Sequence, residues 1–395
     1  MKYVIIIPDG AADVPLEELD GLTPLEAASI PTIDALAANG RLGTVANVPD
    51  DQHPGSDIAI LSVLGYDPAE VYTGRAPLEA AAQGLKIDDD QWVFRCNLVT
   101  IIDEVMEDYC AGHISTPEAT ALIDNLKTFL DSDTVKFHHG VAYRHLLTVR
   151  GELDVETTAP HDILGQPIAN HLPTGEGAEQ LEELASEARV LLGQAEINAV
   201  RRDLGENPAT DIWLWGQGKM PTIPSFQETY GLRGAAITAV DLVRGISNLI
   251  GWDVIDVEGA TGYVDTNYQG KGEAAIKAID EYDIVLVHVE GTDEAGHNAD
   301  VAGKVFALGQ IDEHIVAPVL EKLQSMGDDW RLMVLPDHPT PCTIRTHTRE
   351  PVPFVLAGKG VEAVRTGAFT EQSAIEADLH VDRGHTLMEY FLTVR

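Results

Sequence analysis

The chain has 395 residues, of which 44% are hydrophobic and 23% are charged, so it can bury a sizeable core and is expected to form two domains. Its 64 acidic residues outnumber the 26 basic ones, and the formal net charge of −38 argues against nucleic acid and membrane surfaces as partners. The three cysteines are odd in number and far apart, which argues against a disulfide framework and against a thiolate metal site.

The N-terminal segment contains the first predicted strand, at 3–7, in an apolar run that ends at Pro8. This run is too short for a signal peptide or a membrane-spanning helix, and no later segment approaches the roughly 20 apolar residues that a span requires. We therefore expect a cytoplasmic protein. The sequence leaves its oligomeric state open.

A smaller inserted α+β domain is predicted at 87–208, with 1–86 and 209–395 together forming the main domain. Two amphipathic helices are expected in the insert, a capped one over 115–130 and another over 177–203. The first would place Leu122, Leu126, Phe129 and Leu130 on one face.

Two strand-like segments accompany these helices in the insert, one from Val93 to Thr100 and the other from Tyr143 to Val149. The segment from Trp213 to Lys219 follows the insert and is a candidate hinge. Its two tryptophans favour packing over a binding platform.

The C-terminal half supplies the remaining predicted strands, at 253–257, 283–289, 331–335 and 353–357. The last three are nearly all apolar, as expected of strands that are buried on both faces. Strands that alternate with helical patterns indicate an α/β fold with a mostly parallel sheet flanked by helices. Ligands of such sheets bind beyond the carboxyl ends of the strands, so the residues that follow these strands are the first candidates for a functional site.

Four short segments carry chemistry, and each has an ordinary structural interpretation when it stands alone. They are 8–10, 54–57, 291–297 and 336–338 followed by His347. Asp9 could shape a turn, and Ser56 could cap a helix. Asp293 and His297 could be a simple pair one helical turn apart, and His347 could be a solvated histidine.

Together the segments favour a metal-dependent phosphoryl-transfer site, because Asp9, Asp293 and the pair Asp337-His338 each follow a predicted strand of one sheet. Oxygen and imidazole ligands without thiolates suit Mg²⁺, Mn²⁺ or Zn²⁺. A hydroxyl among them, on Ser56, suggests a nucleophile that a divalent ion could activate.

Seven short motifs follow one another along the chain. They are Pro8-Asp9-Gly10, Pro54-Gly55-Ser56-Asp57, Leu64-Gly65-Tyr66-Asp67-Pro68, Thr73-Gly74-Arg75, Asp293-Glu294-Ala295-Gly296-His297, Pro336-Asp337-His338 and Arg345-Thr346-His347-Thr348. In these motifs and their order, over essentially the whole chain, the sequence resembles the cofactor-independent phosphoglycerate mutases of the archaeal type and their bacterial relatives, within the alkaline phosphatase superfamily.

The resemblance implies an alkaline-phosphatase-like sheet domain with two divalent metal ions, Mn²⁺ or Mg²⁺, with Zn²⁺ as a further alternative, and no requirement for 2,3-bisphosphoglycerate. It implies that 3-phosphoglycerate and 2-phosphoglycerate are interconverted, as in glycolysis and gluconeogenesis, through phosphorylated Ser56. One ion would be held by Asp9, Ser56, Asp337 and His338, and the other by Asp293, His297 and His347.

The insert would then be a lid that binds the small phosphorylated substrate and excludes water. Its motifs match the bacterial branch less decisively. Arg and His side chains suit carboxylate and phosphate oxygens. The expected substrate-binding residues are Arg95, His113, Arg144, His145, His161, Asp162 and Lys219. The alternative for Arg95 and Arg144 is a structural ion pair in a very acidic protein.

Two other functions compete with the mutase. The first is a phosphatase or a phosphotransferase that acts on another small alcohol such as homoserine. Ordinary P-loop nucleotide binding is disfavoured, because Gly270-Lys271 is followed by Gly272 rather than by Ser or Thr. The second is a catalytically silent relative, which the complete set of expected metal ligands disfavours.

Overall fold

The structure is a computed structural model that describes residues 1–364 and 367–394, and the chain divides into two compact units. Unit 1 comprises Met1–Tyr72 and Ile223–Arg395, and unit 2 comprises Thr73–Thr222. The insert expected at 87–208 falls inside unit 2. In the described ranges, no helix combines the length and the apolar character needed to cross a membrane.

The strands of the described chain are numbered in chain order. They are β1 Lys2–Pro8, β2 Arg41–Val45, β3 Gln91–Ile102, β4 Val105–Asp108, β5 Val135–Val141, β6 Arg144–Arg150, β7 Asp154–Glu156, β8 Thr174–Glu176, β9 Asp211–Lys219, β10 Gly234–Ile237, β11 Asp253–Ile255, β12 Ile284–Val289, β13 Trp330–Val334, β14 Val352–Gly358 and β15 His380–Val381.

The α-helices are numbered in the same way. They are α1 Pro24–Ala27, α2 Pro31–Asn39, α3 Ser56–Val63, α4 Pro68–Val71, α5 Arg75–Ala82, α6 Thr116–Leu130, α7 Ala178–Gln194, α8 Glu196–Leu204, α9 Phe226–Tyr230, α10 Asp241–Leu249, α11 Tyr268–Glu281, α12 Gly291–His297, α13 Val301–Ile311, α14 Ala317–Ser325, α15 Glu371–Ile375 and α16 Thr386–Thr393. Short 3₁₀ turns lie at Glu17–Leu19, Pro160–Ile163 and Ile168–Asn170, and a π-helical turn at Asp312–Val316 joins α13 to α14.

Unit 1 is built on an eight-stranded sheet with the order β11-β10-β12-β1-β13-β14-β2-β15. The sheet is mostly parallel, and only the pairings of β14 with β13 and with β2 are antiparallel. All five predicted strands are present with ends within two residues of those expected, which confirms the predicted fold class. The strands β2, β10 and β15 were not predicted.

The central strand β1 explains where a site can form. Residues Val4 to Ile7 have no solvent exposure. The strand β1 lies between β12 and β13, and Val4 and Ile6 pack in a core with the helices α2, α11 and α13. β1 is parallel to both neighbours, so the carboxyl ends of all three strands lie at the same edge of the sheet. The segments that begin at Asp9, Glu290 and Leu335 therefore meet there.

Unit 2 has a five-stranded antiparallel sheet in which β3 pairs with β4, β6 and β9, and β6 also pairs with β5. The helices α6 and α7 pack on one face of it around Phe94, Cys96 and Leu98. The candidate hinge from Trp213 to Lys219 lies in β9, so it is a strand of this sheet instead of a segment that follows the insert.

Two details of the predicted helices were wrong. Phe129 is 64% exposed, because the buried stripe of α6 advances by four residues from Leu126 to Leu130 and leaves Phe129 beside it. The single helix expected over 177–203 is two helices that meet at Ala195. The side chain of Asn198 donates to the carbonyl of Leu192 at 2.8 Å and so satisfies the end of α7.

Candidate active site

The loop after β1 begins with Asp9, which is 1% exposed. The next residue, Gly10, has a φ of +61°, and a Cβ at this position would lie 2.5 Å from both Asp293 Oδ1 and Thr340 Oγ1. Glycine is required here because the backbone is left-handed and the surrounding loops leave no room for a side chain. The Gly10 N–H donates to Asp337 Oδ1 at 3.1 Å, which links the loop after β1 to the loop after β13.

Ser56 is the first residue of α3, and Gly55 occupies the N-cap position, so Ser56 is not the helix cap. Its Oγ lies 3.0 Å from His338 Nε2 and 3.5 Å from Asp9 Oδ2. Ser62, the other serine of α3, is 1% exposed inside the helix packing. Of these two hydroxyls, the structure brings Ser56 to the carboxylates and imidazoles.

The helix α12 brings Asp293 and His297 together one turn apart, and the loop after β13 adds His347. His297 Nε2 lies 3.3 Å from Asp293 Oδ2, and His347 Nε2 lies 3.5 Å from Asp293 Oδ1. The Nδ1 atom of His297 lies 3.0 Å from the carbonyl oxygen of Arg345, to which it can only donate. This hydrogen bond fixes the tautomer that leaves Nε2 free to bind a cation.

A second group of potential ligands overlaps the first. Atoms of Asp9, Asp293 and His338 lie within 4.8 Å of one another, so Asp293 belongs to both groups. The resemblance assigned Asp293 to one ion only. Asp337 Oδ2 lies 3.4 Å from His338 Nε2, at the edge of the same group.

The pKa values of these buried carboxylates indicate that positive charge nearby would stabilise their ionised forms. Burial, together with the charges of Asp337 and Asp293, raises the pKa of Asp9 well above its usual value. Burial would also raise the pKa of Asp293, but hydrogen bonds from His297 and His347 outweigh it and hold that pKa well below the usual range.

Two buried carboxylate oxygens, Asp9 Oδ1 and Asp337 Oδ2, have no hydrogen-bond partner. An unpaired buried oxygen of this kind is costly unless a cation binds it. The ligand set around them is made of carboxylates, imidazoles and one hydroxyl, which fits Mn²⁺, Mg²⁺ or Zn²⁺.

Sequence reasoning missed two buried residues of this site. His288, in β12, places Nε2 2.8 Å from Asp9 Oδ2, and burial lowers the pKa of His288 to about 3. Thr340 donates to Asp293 Oδ1 at 2.5 Å and lies 3.3 Å from His338 Nδ1. His288 could have been noticed as the single polar side chain in an apolar strand, whereas Thr340 carries no comparable signal.

Unit 2 gathers several of the predicted substrate contacts on the sheet face opposite α6 and α7. The Arg95 guanidinium lies 4.3 Å above the ring of Trp215, whose Nε1 donates to Asn97 Oδ1 at 3.2 Å. Arg144 is the neighbour of Asn97 across the β3–β6 ladder and is exposed. The ring of His161 packs edge-on against Trp215 with the centroids 5.2 Å apart.

The acidic neighbours of these arginines differ. Glu79 lies 3.1 Å from Arg95 Nε and 3.4 Å from Arg75 Nε, so one carboxylate serves two guanidinium groups. Arg144 has no ion-pair partner among the described residues. The structural alternative therefore fits Arg95 in part and does not fit Arg144. Arg75 was not among the expected site residues, although it belongs to a recognised motif.

The remaining candidates of unit 2 lie apart from this face. His145 is opposite Cys96 in the ladder, on the face that packs against α6 and α7, and is 1% exposed. Lys219 lies at the end of β9, with Nζ 5.4 Å above the ring of Trp92. His113 is exposed in a turn with a φ of +50°. Asp162 is exposed beside His161, at 3.9 Å.

Comparison with known proteins identifies the family. Residues 37–198 match the profile of 2,3-bisphosphoglycerate-independent phosphoglycerate mutases. The enzyme of that name from Methanothrix thermoacetophila is 46% identical over 392 residues, covering 99% of this chain and 100% of the relative. A probable enzyme of the same name from Geobacter sulfurreducens is 47% identical over 398 residues, with 99% and 100% coverage.

Solved structures agree with this assignment. A protein from Pyrococcus horikoshii has a TM-score of 0.84 and 31% identity, over 99% of this chain and 96% of its own. The cofactor-independent phosphoglycerate mutase from Thermoplasma acidophilum has a TM-score of 0.65 and 28% identity, over 99% of both chains. The chain belongs to the family of 2,3-bisphosphoglycerate-independent phosphoglycerate mutases.

Proposed function

We propose that this chain interconverts 3-phosphoglycerate and 2-phosphoglycerate and that Ser56 carries the phosphoryl group between the two hydroxyls. The observation that supports this most directly is the position of Ser56 Oγ, at the start of a helix and 3.0 Å from His338 Nε2. The names of the full-length relatives support the choice of substrate.

The transfer has two balanced steps. A bond forms between Ser56 Oγ and phosphorus as the bond from phosphorus to the C3 oxygen of glycerate breaks, and the serine proton is passed to the departing glycerate oxygen. In the second step the C2 hydroxyl of the same glycerate attacks phosphorus as the bond from phosphorus to Ser56 Oγ breaks, and the proton of that hydroxyl passes to Ser56 Oγ. Neither step needs a nucleotide or 2,3-bisphosphoglycerate.

The metal ligands of this proposal are those given by the resemblance. Asp9, Ser56, Asp337 and His338 would hold one ion, and Asp293, His297 and His347 would hold the other, with Asp293 close to both groups. When bound, two divalent ions would activate the hydroxyl and neutralise the phosphoryl oxygens.

For unit 2 we propose the role of a substrate-binding lid. Arg144 is exposed and free of a carboxylate partner in the described chain, so it can grip a carboxylate or phosphate. Arg95 and His161, which share the ring of Trp215, are further contacts of the same face. A lid also protects phosphorylated Ser56 from water, which would turn the mutase into a phosphatase.

The test is a reaction with 3-phosphoglycerate and Mn²⁺ alone, followed by ³¹P NMR. We expect 2-phosphoglycerate to accumulate to equilibrium with little free glycerate or inorganic phosphate. Dominant inorganic phosphate would instead identify a phosphatase. If phosphoglycerate is inert and homoserine is phosphorylated when a nucleotide donor is added, the mutase proposal fails while the assignments of Ser56 and of the metal ligands stand.

A further inference from the structure

A buried hydrogen-bond chain behind Asp9 has no role in the reaction as described so far. It joins β10 to β12 and ends on a proposed metal ligand. His288 has no solvent exposure, its Nε2 lies 2.8 Å from Asp9 Oδ2, and its Nδ1 lies 3.2 Å from Thr238 Oγ1. Thr238 Oγ1 in turn accepts the N–H of Val240 at 3.1 Å.

We infer that His288 and Thr238 are positioning residues that turn one oxygen of Asp9, Oδ1, toward the metal ion by occupying the other. The inference rests on the metal site of the proposed function but not on the reaction that the site catalyses. It concerns residues that the motif comparison did not single out.

The donors and acceptors of the chain have one consistent arrangement. A carboxylate that binds a cation carries no proton, so Asp9 Oδ2 can only accept and His288 Nε2 donates to it. A neutral imidazole has one N–H, so Nδ1 accepts and the hydroxyl of Thr238 donates to it. Thr238 Oγ1 keeps a lone pair for Val240, and every group between the backbone and Asp9 is satisfied.

The two oxygens of Asp9 fit this arrangement. Oδ2 has its partner in His288, whereas Oδ1 is buried without one, although it lies 3.6 Å from His338 Nε2. The unpaired oxygen is therefore the one that faces the imidazole of His338, while Ser56 Oγ lies 3.5 Å from Oδ2, on the side of His288. Any rotation of the carboxylate short of a half-turn would break the hydrogen bond to His288, so this bond fixes the plane of the carboxylate.

His288 is itself held firmly. Its backbone carbonyl accepts from Nζ of Lys271, at 2.7 Å, and both residues are fully buried. Its strand β12 is hydrogen-bonded to β1 on one side and to β10 on the other, so Asp9, His288 and Thr238 are fixed by three adjacent strands. Outer partners of this kind typically change metal affinity by about 10- to 100-fold when they are removed.

The experiment measures Mn²⁺ binding to metal-free protein by titration calorimetry. A His297→Ala/His347→Ala background restricts the measurement to the ion near Asp9. In that background we expect His288→Leu to weaken binding about 10- to 100-fold. His288→Gln should recover most of the loss, since its amide can still donate to Asp9 Oδ2.

The Mn²⁺ affinity of Thr238 variants distinguishes a positioning role from a purely structural one. Thr238→Val should weaken Mn²⁺ binding, and Thr238→Ser, which keeps the hydroxyl, should not. In the His288→Leu protein, Thr238→Val should have no further effect on affinity, because Thr238 acts through His288. Thermal unfolding of the metal-free variants checks that each is folded, and Thr238→Val is close in shape to the native residue.

The outcomes separate this inference from the proposed function. Unchanged Mn²⁺ affinity in folded His288→Leu and Thr238→Val proteins would overturn the inference alone. Additive losses in the double variant would overturn the relay through His288. A wild-type protein that bound no divalent ion would overturn the metal site of the proposed function and this inference with it.

Discussion

His297 Nε2 and His347 Nε2 lie 2.9 Å apart, with Asp293 oxygens within 3.5 Å of both. Two imidazole lone pairs cannot face each other at this distance unless a proton or a metal ion lies between them. Since Asp293 also belongs to the group formed with Asp9 and His338, one carboxylate connects the two ligand groups.

Because both ligand groups include Asp293, variants of Asp293 and of His347 should bind different numbers of metal ions. We expect the wild-type protein to bind two Mn²⁺ ions and His347→Ala to bind one. Asp293→Asn should bind fewer than one, because the change removes a charge that both groups use while keeping the side-chain shape. Metal analysis after equilibrium dialysis measures the stoichiometry. Equal loss of metal in the two variants would show that Asp293 serves one ion only.

The nucleophile can be tested against a matched control in the same helix. Ser56→Ala should abolish turnover, because it removes the attacking oxygen, and it should leave the folded state intact since Ser56 is only partly buried. Ser62→Ala, which changes a buried hydroxyl six residues later, should retain activity. Mass spectrometry of protein quenched during turnover should find phosphate on Ser56. Phosphate on Ser62 would move the nucleophile there.

Much of the sheet could be predicted because its central strands are buried on both faces. Nearly continuous apolar runs such as Ile284–Val289, which only His288 interrupts, are visible in a sequence without any knowledge of their partners. The direction of pairing is not visible in this way, and β14 is antiparallel to its neighbours although its sequence looks like that of β12. The strands β2 and β10 were missed because glycine and alanine weaken their apolar signal.

The candidate site likewise has residues that the sequence reveals and residues whose position it does not reveal. Asp9 and Asp337 were found because they follow predicted strands, and Ser56 and His347 because they stand in recognised motifs. His145 was selected by its motif, yet the alternation of β6 puts its ring on the helix-covered face. Which face a strand residue uses depends on register, and register is fixed by tertiary packing that the motif does not encode.

The buried ion pair between Lys304 and Asp13 should contribute strongly to stability. Both side chains have no solvent exposure, and Lys304 Nζ lies 2.9 Å from Asp13 Oδ2 and 2.8 Å from the carbonyl oxygen of Thr340. Lys304→Met would leave the carboxylate buried and unpaired, so we expect a loss of roughly 3–5 kcal/mol in the free energy of unfolding. Urea denaturation measures it.

Two controls accompany this measurement. Asp13→Asn added to Lys304→Met should recover a large part of the stability, because no unpaired charge remains. Lys322→Met removes a lysine from an ion pair with the exposed Asp280 and should cost at most about 1 kcal/mol. A cost for Lys304→Met that is no larger than that for Lys322→Met would contradict the prediction.

The lid proposal predicts a selective effect of Arg144→Ala. Removal of this exposed arginine of β6 should lower phosphoglycerate turnover without changing Mn²⁺ stoichiometry, because Arg144 would contact substrate and not the metal ligands. Arg150→Ala, at the other end of the same strand, removes a pair with Asp88 and Asp90 and should leave turnover near the wild-type rate. Loss of metal together with activity in Arg144→Ala would instead indicate a structural role.

The last prediction concerns acid stability and His145. Burial lowers the pKa of this imidazole to about 4, and its Nδ1 accepts the N–H of Gly140 at 3.0 Å, so the folded protein holds the ring neutral. In the unfolded chain the pKa is about 6.5, so between these values the unfolded state binds a proton that the folded state does not. The contribution of His145 to stability is therefore complete above about pH 6.5 and decreases as the pH falls toward 4, by roughly 3 kcal/mol in total.

His145→Asn isolates this contribution, because the amide oxygen can still accept from Gly140 but does not titrate. The wild-type protein will lose stability in acid through other groups as well, among them His288, whose pKa is also lowered. The informative quantity is thus the difference between pH 7.5 and pH 5 in the free energy of unfolding, measured by urea denaturation of metal-free protein. We expect this difference to be smaller in His145→Asn than in the wild type by about 2 kcal/mol. Identical pH dependence in the two proteins would mean that the ring at position 145 becomes protonated without unfolding, which is incompatible with its burial on the helix-covered face.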